Sequence, residues 1–142
     1  IVPCVSAMQV AAARAGAPLG HDFCVISLSD QRKPWSVIAG RLTAAASADL
    51  AIALYNPASQ TRREQLSRAR ELLLQQRAPE TPVILARALG SAEETLTVTT
   101  LAAADLGVVD MRTLVLIGSS QTRVVRDASG AERVYTPRTY PG

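Results

Sequence analysis

Aromatic side chains are scarce in this sequence, which limits how its core can be built. Phe, Trp and Tyr together make up 4% of the 142 residues, whereas hydrophobic residues make up 48%. The core must therefore consist mainly of alanine and branched aliphatic side chains. A chain of this length buries roughly 68–70% of its unfolded surface. We therefore expect one globular domain over residues 1–142.

Cysteine and histidine are nearly absent, and this excludes several kinds of site. Cys4 and Cys24 show no C-x-x-C spacing, and His21 is the only histidine. A zinc centre is therefore excluded, and no metal is expected. A catalytic Ser-His-Asp triad would depend on His21, for which a structural pair with Asp22 is favoured. The apolar neighbours of both cysteines predict buried free thiols in a reducing compartment.

Long apolar runs and a strong charge of either sign are also missing. No segment approaches the roughly 20 apolar residues that span a bilayer, and the net charge is only +3. This dispersed charge indicates neither a membrane nor a nucleic-acid partner. It suits a small polyanionic substrate, although a solvated arginine-rich surface is the favoured interpretation. The chain starts abruptly with an apolar segment and has no signal-peptide pattern, so we expect a piece of a longer protein.

Hydrophobic periodicity predicts strands that alternate with helices. Helices are predicted over residues 6–16, from Pro34 onward, from a Thr61/Glu64 capping box to about residue 76, and over 101–106. Strands are predicted over residues 23–28, 49–55, 83–88, around 96–98, and over 113–117, with a hairpin from 123 to 135 around 127–130. The alternation predicts an α/β layered domain, and the late hairpins favour a mixed sheet.

Three of the predicted strands end in polar or conformationally special residues, namely in segments 27–30, 54–57 and 87–90. Ligands of α/β sheets bind beyond the carboxyl ends of strands, so the three segments are candidates for one crevice. The alternative is that Ser, Asn, Pro and Gly end strands in most proteins without any function. Segment 118–123 has hydroxyls and Arg123, but no predicted helix follows it, so an ordinary turn is favoured over an anion site.

Together these segments resemble the class III methyltransferases of tetrapyrroles. The resemblance is carried by H-D-F-C-V-I-S-L-S-D at 21–30, I-A-L-Y-N-P at 52–57, residues 95–101, and V-L-I-G-S-S-Q-T-R at 115–123. It implies a two-domain α/β enzyme with its methyl donor and its tetrapyrrole in the cleft between the domains. The glycine-rich loop of the amino-terminal domain is absent here. Residues 1–142 would then be the carboxyl-terminal domain and supply half of the cleft.

The resemblance also implies roles for individual residues. It implies that the methyl donor is S-adenosylmethionine and that Ser27, Ser29 and Asp30 face the substrate. The donor-binding residues that it implies are Leu54, Tyr55, Asn56, Arg87, Ala88, Thr113 and Leu114. The family usually has glycine where this chain has Cys4, and a Cβ there would crowd a close backbone approach.

The best-matching branch of the family methylates ring carbon 17 of precorrin-3B during cobalamin biosynthesis and contracts the macrocycle. Asp30 is the best available carboxylate for the proton movements of ring contraction, and an N-cap on the Pro34 helix is its plainer alternative role. The resemblance further implies a cytoplasmic homodimer. Two other functions remain open: a sister enzyme acting on another tetrapyrrole position or substrate, and a non-catalytic binding or dimerisation domain.

Overall fold

The computed structural model describes residues 4–58 and 64–140, which form helices and strands in alternation. The helices are α1 (Ala7–Ala15), α2 (Trp35–Ser47), α3 (Glu64–Leu74) and a short 3-10 helix (Leu106–Val108). The strands are β1 (Gly16–Ala17), β2 (Phe23–Ser27), β3 (Ala51–Tyr55), β4 (Pro82–Arg87), β5 (Thr95–Thr100), β6 (Thr113–Ile117), β7 (Arg123–Arg126) and β8 (Glu132–Tyr135). None of the helices in these two ranges is long and apolar enough to cross a membrane.

Five strands form the main sheet, in the order β2-β3-β6-β4-β5. Strands β2 and β3 are parallel, whereas β6 lies antiparallel between β3 and β4, and β5 is antiparallel to β4. Strands β2, β3 and β4 therefore run in the same direction, and their carboxyl ends lie at one edge of the sheet beside the start of β6. We call this the strand-end edge, and we call the other end of these strands the opposite edge.

The two faces of the sheet are covered by different helices. Helices α2 and α3 pack on one face, where Ile38, Leu42 and Leu73 are fully buried. Helix α1 packs on the other face through Ala11 and Ala15, both of them 0% exposed. Alanine at these positions lets the helix approach the sheet closely, which is consistent with a core poor in aromatic side chains. The expected α/β domain with a mixed sheet is confirmed.

A second, three-stranded sheet ties the end of α1 to the carboxyl-terminal hairpin. The predicted hairpin is present as β7 and β8, and β1 pairs with β8 in the order β1-β8-β7. Strand β1 was not predicted, because it is only two residues long. Gly16 begins β1 with a φ of 130°, and a Cβ there would lie 2.7 Å from the carbonyl oxygen of Val134. Glycine is therefore required at this crossing.

Several predicted boundaries are wrong for identifiable reasons. Residues 101–106 do not form the predicted helix, because so short a segment gains too few hydrogen bonds to offset nucleation. Residues 101–103 form a turn instead, and the 3-10 helix begins only at Leu106. Strand β3 begins at Ala51 rather than 49, since Asp49 is left-handed with a φ of 54°. Pro34 is the N-cap of α2 and not its first residue. The Thr61 capping box lies outside the described residues.

The prediction of two buried thiols is also wrong. Cys4 is exposed, and Cys24 is only partly buried beside the helix-side core. Burial raises the pKa of the Cys24 thiol above its usual value, although the nearby positive charge of Arg77 acts in the opposite direction. His21 and Asp22 form the expected pair, with 4.0 Å between Nδ1 and Oδ2.

Candidate functional site

A cavity of about 360 Å³ opens at the strand-end edge, on the α1 side of the sheet. Its walls come from the ends of β3 and β4, the start of β6, the first turn of α1, and the loops around them. The lining residues are Ala7, Tyr55, Asn56, Ala86, Ala88, Leu89, Ser91, Met111, Arg112, Thr113 and Leu114. The structure thus brings together five of the seven residues expected to bind the methyl donor.

Two strands end at this cavity in the left-handed backbone conformation. Asn56 follows β3 with a φ of 52°, and Ala88 follows β4 with a φ of 54°. Asparagine tolerates this conformation, whereas alanine rarely adopts it and must be held there. The Ala88 N–H donates to the carbonyl of Arg112 at 3.0 Å, and the Ala88 carbonyl accepts from the Ser91 hydroxyl at 2.8 Å. These bonds fix the turn that forms one wall of the cavity.

Tyr55 connects α1 to the floor of the cavity. Its hydroxyl oxygen accepts a hydrogen bond from the backbone N–H of Met8 at 3.1 Å. This contact satisfies one of the free amides in the first turn of α1. It also places Ala7 on the cavity rim. The Tyr55 ring therefore shapes the cavity and anchors the helix that covers it.

The other two expected donor residues lie behind the cavity wall. Leu54 is 0% exposed and packs in the helix-side core, so only its backbone faces the site. The Arg87 side chain donates from Nε to Oδ2 of Asp110 at 2.8 Å. Neither side chain lines the cavity, because side chains alternate between the two faces of a strand.

The segment expected to face the substrate adjoins the cavity but does not line it. Ser27 Oγ accepts a hydrogen bond from Asn56 Nδ2 at 2.9 Å and another from the Ser29 N–H at 3.3 Å. Asp30 Oδ2 accepts from Gln65 Nε2 on α3 at 2.9 Å. Because α2 begins at the N-cap Pro34, the alternative role of Asp30 as the helix cap is wrong.

The loop before β6 supplies cavity residues that sequence reasoning missed. Arg112 is the charged residue among those lining the cavity, and it donates to Glu93 Oε2 at 2.6 Å. Met111 is 55% exposed beside it. These residues immediately precede Thr113, which was singled out from the sequence. The loop reaches the cavity because β6 pairs between β3 and β4, and no local sequence pattern predicts that pairing.

Asp110 connects several parts of this loop. Its Oδ1 accepts from the Thr113 hydroxyl at 2.8 Å and from the Arg112 N–H at 2.9 Å, and its Oδ2 accepts from Arg87. Partial burial on its own raises the Asp110 pKa. The hydrogen bonds from Thr113 and Arg87 outweigh that effect and hold the pKa below its usual value. The carboxylate is therefore ionised at neutral pH.

The chain matches a known protein family over most of its length. The family model described as Tetrapyrrole (Corrin/Porphyrin) Methylases matches residues 1–105 of the chain. The chain belongs to the tetrapyrrole methylase family. Its β3 and β4 ends, which line the cavity, both fall within the matched residues.

Relatives of this tetrapyrrole methylase chain align with it over almost its whole length. It is 52% identical over 142 residues to precorrin-3B C(17)-methyltransferase from Sinorhizobium sp, covering 100% of this chain and 56% of that protein. It is 50% identical over 145 residues to cobalamin biosynthesis protein CobIJ of Mycobacterium tuberculosis, covering 99% of this chain and 28% of that protein. The chain thus spans between about a quarter and a half of the length of these relatives.

Solved structures of the family share the fold. The crystal structure of the methyltransferase CobJ matches with a TM-score of 0.87 at 44% identity, covering 96% of this chain and 55% of that one. Cobalt precorrin-4 methyltransferase matches with a TM-score of 0.62 at 24% identity, covering 83% of this chain and 51% of that one, which supports the fold alone.

The opposite edge of this tetrapyrrole methylase sheet is held by a buried arginine. The Arg77 side chain is 2% exposed, and it donates to the carbonyls of Gly118, of Leu50 at 2.7 Å and of Ala45 at 3.3 Å. Ala45 lies in the last turn of α2, where carbonyl groups lack helical partners and favour a cation. Burial lowers the Arg77 pKa from its usual value, although the charge of Asp49 opposes that effect.

Asp49 and the 118–123 segment complete the opposite edge. The Asp49 carboxylate accepts from the Ser120 N–H at 2.8 Å, the Ser120 hydroxyl at 2.6 Å and the Tyr140 hydroxyl at 3.1 Å. The Ser119 N–H donates to Thr122 Oγ1 at 2.8 Å. The hydroxyls of 118–123 thus bind one another and Asp49, as in the ordinary turn favoured from the sequence.

Proposed function

We propose that this chain is the carboxyl-terminal domain of an S-adenosylmethionine-dependent methyltransferase that methylates ring carbon 17 of precorrin-3B, with ring contraction, in cobalamin biosynthesis. The observation that carries the proposal is the cavity at the strand-end edge. It unites Tyr55, Asn56, Ala88, Thr113 and Leu114 in a chain that is 52% identical to a precorrin-3B C(17)-methyltransferase.

The cavity suits part of a methyl donor in size and in chemistry. Its volume of about 360 Å³ lies at the lower end of the roughly 300–1,000 Å³ typical of small-molecule sites. Ala86, Leu89 and Leu114 give it apolar walls for a flat ring. Asn56 and Thr113 add a few polar groups, the combination that orients a ligand in such sites.

The residues of this chain would act mainly by positioning. When bound, S-adenosylmethionine supplies a methyl group already activated on a sulfonium, which carbon 17 can accept by in-line displacement. Tyr55 and Asn56 would hold the donor against the wall at Ala88, and the Ser27–Asn56 hydrogen bond would set the substrate loop relative to it. Asp30, steadied by Gln65, would hold or move the proton that ring contraction requires.

A second domain would complete the site. The cavity is open on one side, and the chain covers 56% of the Sinorhizobium relative. A glycine-rich amino-terminal domain would close the cleft, exclude water and supply the rest of the donor site. We refer to this arrangement as the two-domain protein.

Separate observations support the proposed substrate, oligomeric state and cellular compartment. Precorrin-3B is preferred to the cobalt-bearing substrate because identity to a probable cobalt-factor III C(17)-methyltransferase of Salmonella typhimurium is lower, at 42%. A homodimer is proposed because Phe23 and Val25 on edge strand β2 are 41% and 49% exposed, an apolar surface of the kind that partners cover. Two free cysteines suit a reducing, cytoplasmic setting.

The proposal is tested by methyl transfer with labelled donor. The two-domain protein should label precorrin-3B and bind the donor, whereas the 142-residue chain alone should give no labelled product. Turnover by the chain alone would refute the half-cleft arrangement. Donor binding without methylation of precorrin-3B would refute the substrate, and methylation of another precorrin would favour a sister enzyme. A two-domain protein that binds no donor would remove the cavity from the site.

A further inference from the structure

One carboxylate behind the cavity joins two segments of the chain, the end of β4 and the loop that leads into β6. Asp110 lies in the loop before β6 and does not line the cavity. Its Oδ1 accepts from the Thr113 hydroxyl and from the Arg112 N–H, at 2.8 and 2.9 Å, while its Oδ2 accepts from Arg87 Nε at 2.8 Å. It therefore connects the end of β4, the loop, and the start of β6.

The connection extends to the left-handed turn at Ala88. The Arg112 N–H donates to the Asp110 carboxylate, and the carbonyl of the same residue accepts the Ala88 N–H at 3.0 Å, so Asp110 holds the residue that supports the turn. Ala88 needs such support, since its φ of 54° is costly for a residue with a Cβ. Arg87, the residue before it, is bound directly to the carboxylate. Arg87 is thus tied to Asp110 directly, and Ala88 is tied to it through Arg112.

We propose that Asp110 is a positioning residue for the methyl donor: through its hydrogen bonds to Arg87, Arg112 and Thr113 it fixes the cavity wall formed by Ala88, Arg112 and Thr113. This inference rests on the proposed function, because the donor is assigned to that cavity. The ionised state of the carboxylate supports it: hydrogen bonds to a charged acceptor are about twice as strong as neutral ones. The Arg87 side chain hydrogen-bonds to Asp110, whereas the Arg112 side chain donates to Glu93.

Amide hydrogen exchange in the 142-residue chain tests the positioning without any donor. Asp110→Ala should speed exchange at the Arg112 and Ala88 amides by about tenfold, the loss expected for one charge-assisted hydrogen bond. Asp105→Ala is the matched control, since Asp105 Oδ1 accepts the Gly107 N–H at 2.8 Å in the same two-residue pattern. It should speed exchange at Gly107 only.

Conservative replacement of Asp110 separates its hydrogen bond with Arg87 from its hydrogen bonds with Arg112 and Thr113. In Asp110→Asn the amide oxygen can still accept from Arg112 and Thr113, but the amide nitrogen cannot accept from Arg87. Exchange at the Arg112 amide should therefore stay slow in this variant. Arg87→Met should add little to Asp110→Asn in a double-mutant cycle on donor affinity, because the second change removes a partner that is already lost.

Donor affinity in the two-domain protein shows whether the positioning of the cavity wall by Asp110 contributes to binding of the methyl donor. Asp110→Ala should raise the dissociation constant of S-adenosylhomocysteine about tenfold and leave the KM of the tetrapyrrole unchanged, whereas a general loss of folded protein would lower activity without changing either constant. Unchanged affinity with faster exchange would overturn the role toward the donor. Unchanged exchange would overturn the positioning itself. If the parent protein binds no donor, the proposed function fails, while the exchange comparison still decides what Asp110 holds.

Discussion

The two edges of the main sheet contain similar polar groups, but these groups make different contacts at each edge. At the strand-end edge, left-handed Asn56 and Ala88 turn the chain aside and leave a cavity of about 360 Å³. At the opposite edge, left-handed Asp49 closes on Ser120, Tyr140 and the buried Arg77. At the first edge, the hydrogen-bond partners of the polar side chains lie behind the cavity wall. At the second edge, the polar side chains bind one another and Asp49 beside a smaller cavity of about 280 Å³.

The two edges differ in structure although the segments that form them look alike in sequence. Segments 54–57 and 118–123 each follow an apolar strand with small and polar residues. In the second, the Ser120 and Thr122 hydroxyls are engaged within the fold. In the first, Asn56 lines the larger cavity, and its hydrogen-bond partner Ser27 lies behind the wall. Changes at the two edges should therefore affect different properties.

The largest effect is expected at the strand-end edge, from Asp30→Asn. The substitution keeps an oxygen that can accept from Gln65 Nε2, but it removes the base. Single-turnover methylation and ring contraction by the two-domain protein should slow by about 10²–10⁴-fold, with donor affinity and melting temperature unchanged. Asp22→Asn, at an 84% exposed side chain before β2, is the control. An unchanged rate would leave Asp30 with no part in catalysis.

Arg77→Met should produce the largest effect on folding. Three carbonyls each lose a hydrogen-bond donor, and the Asp49 carboxylate loses its nearest cation. We expect the free energy of unfolding of the 142-residue chain to fall by about 3 kcal/mol, measured in urea. Arg126→Met, at a side chain 76% exposed, should cost under about 1 kcal/mol. Similar losses in the two variants would contradict the difference between the edges.

A smaller effect is expected from Tyr55→Ala on donor binding. Removing the ring takes away one cavity wall and the acceptor for the Met8 N–H, so affinity in the two-domain protein should fall about tenfold. Tyr55→Phe keeps the ring and separates the two causes. Tyr135→Ala, at a 40% exposed residue in β8, should leave affinity unchanged. Calorimetry on folded variants that showed equal affinities for Tyr55→Ala and Tyr135→Ala would remove Tyr55 from the site.

The elements that the sequence predicts well are those specified by local pattern. The apolar runs of β2, β3, β4 and β6 were located to within two residues, as was the β7–β8 hairpin. The residues at the strand ends followed from these positions. Local pattern does not specify strand order, so the insertion of β6 between β3 and β4 could not be derived. Asp110 and Arg112 were missed for that reason.

Sequence reasoning also failed where short segments depend on tertiary contacts. Residues 101–106 have good helix propensity, yet the Leu101 and Ala102 N–H groups donate to the carbonyls of Thr81 and Pro79 instead. Strand β1 exists only because Gly16 meets β8. The Tyr55–Met8 bond joins residues 47 positions apart, which no local pattern reveals. Each of these features depends on a partner that is distant in the chain.

The smallest effect is expected from Asp49→Asn, and its pH dependence is the informative part. Asparagine adopts the left-handed conformation well, so the change removes a charge with little strain. Partial burial raises the Asp49 pKa, but the hydrogen bonds from Ser120 and Tyr140 and the charge of Arg77 together hold it below the usual 3.8. A depressed pKa stabilises the fold above the unfolded pKa, and this contribution is lost as pH falls through the folded value.

At neutral pH, the free energy of unfolding of Asp49→Asn should therefore be about 1 kcal/mol lower than that of the parent chain. The gap should be smaller in acid, at a pH below the usual carboxyl pKa of 3.8. Urea denaturation at both pH values measures the gap, and Asp22→Asn, at an exposed side chain, should show none at either. A gap that stays constant with pH would mean that Asp49 acts through its shape alone. The closure of the opposite edge would then depend on Arg77 and its three carbonyls, with the charge of Asp49 contributing nothing to it.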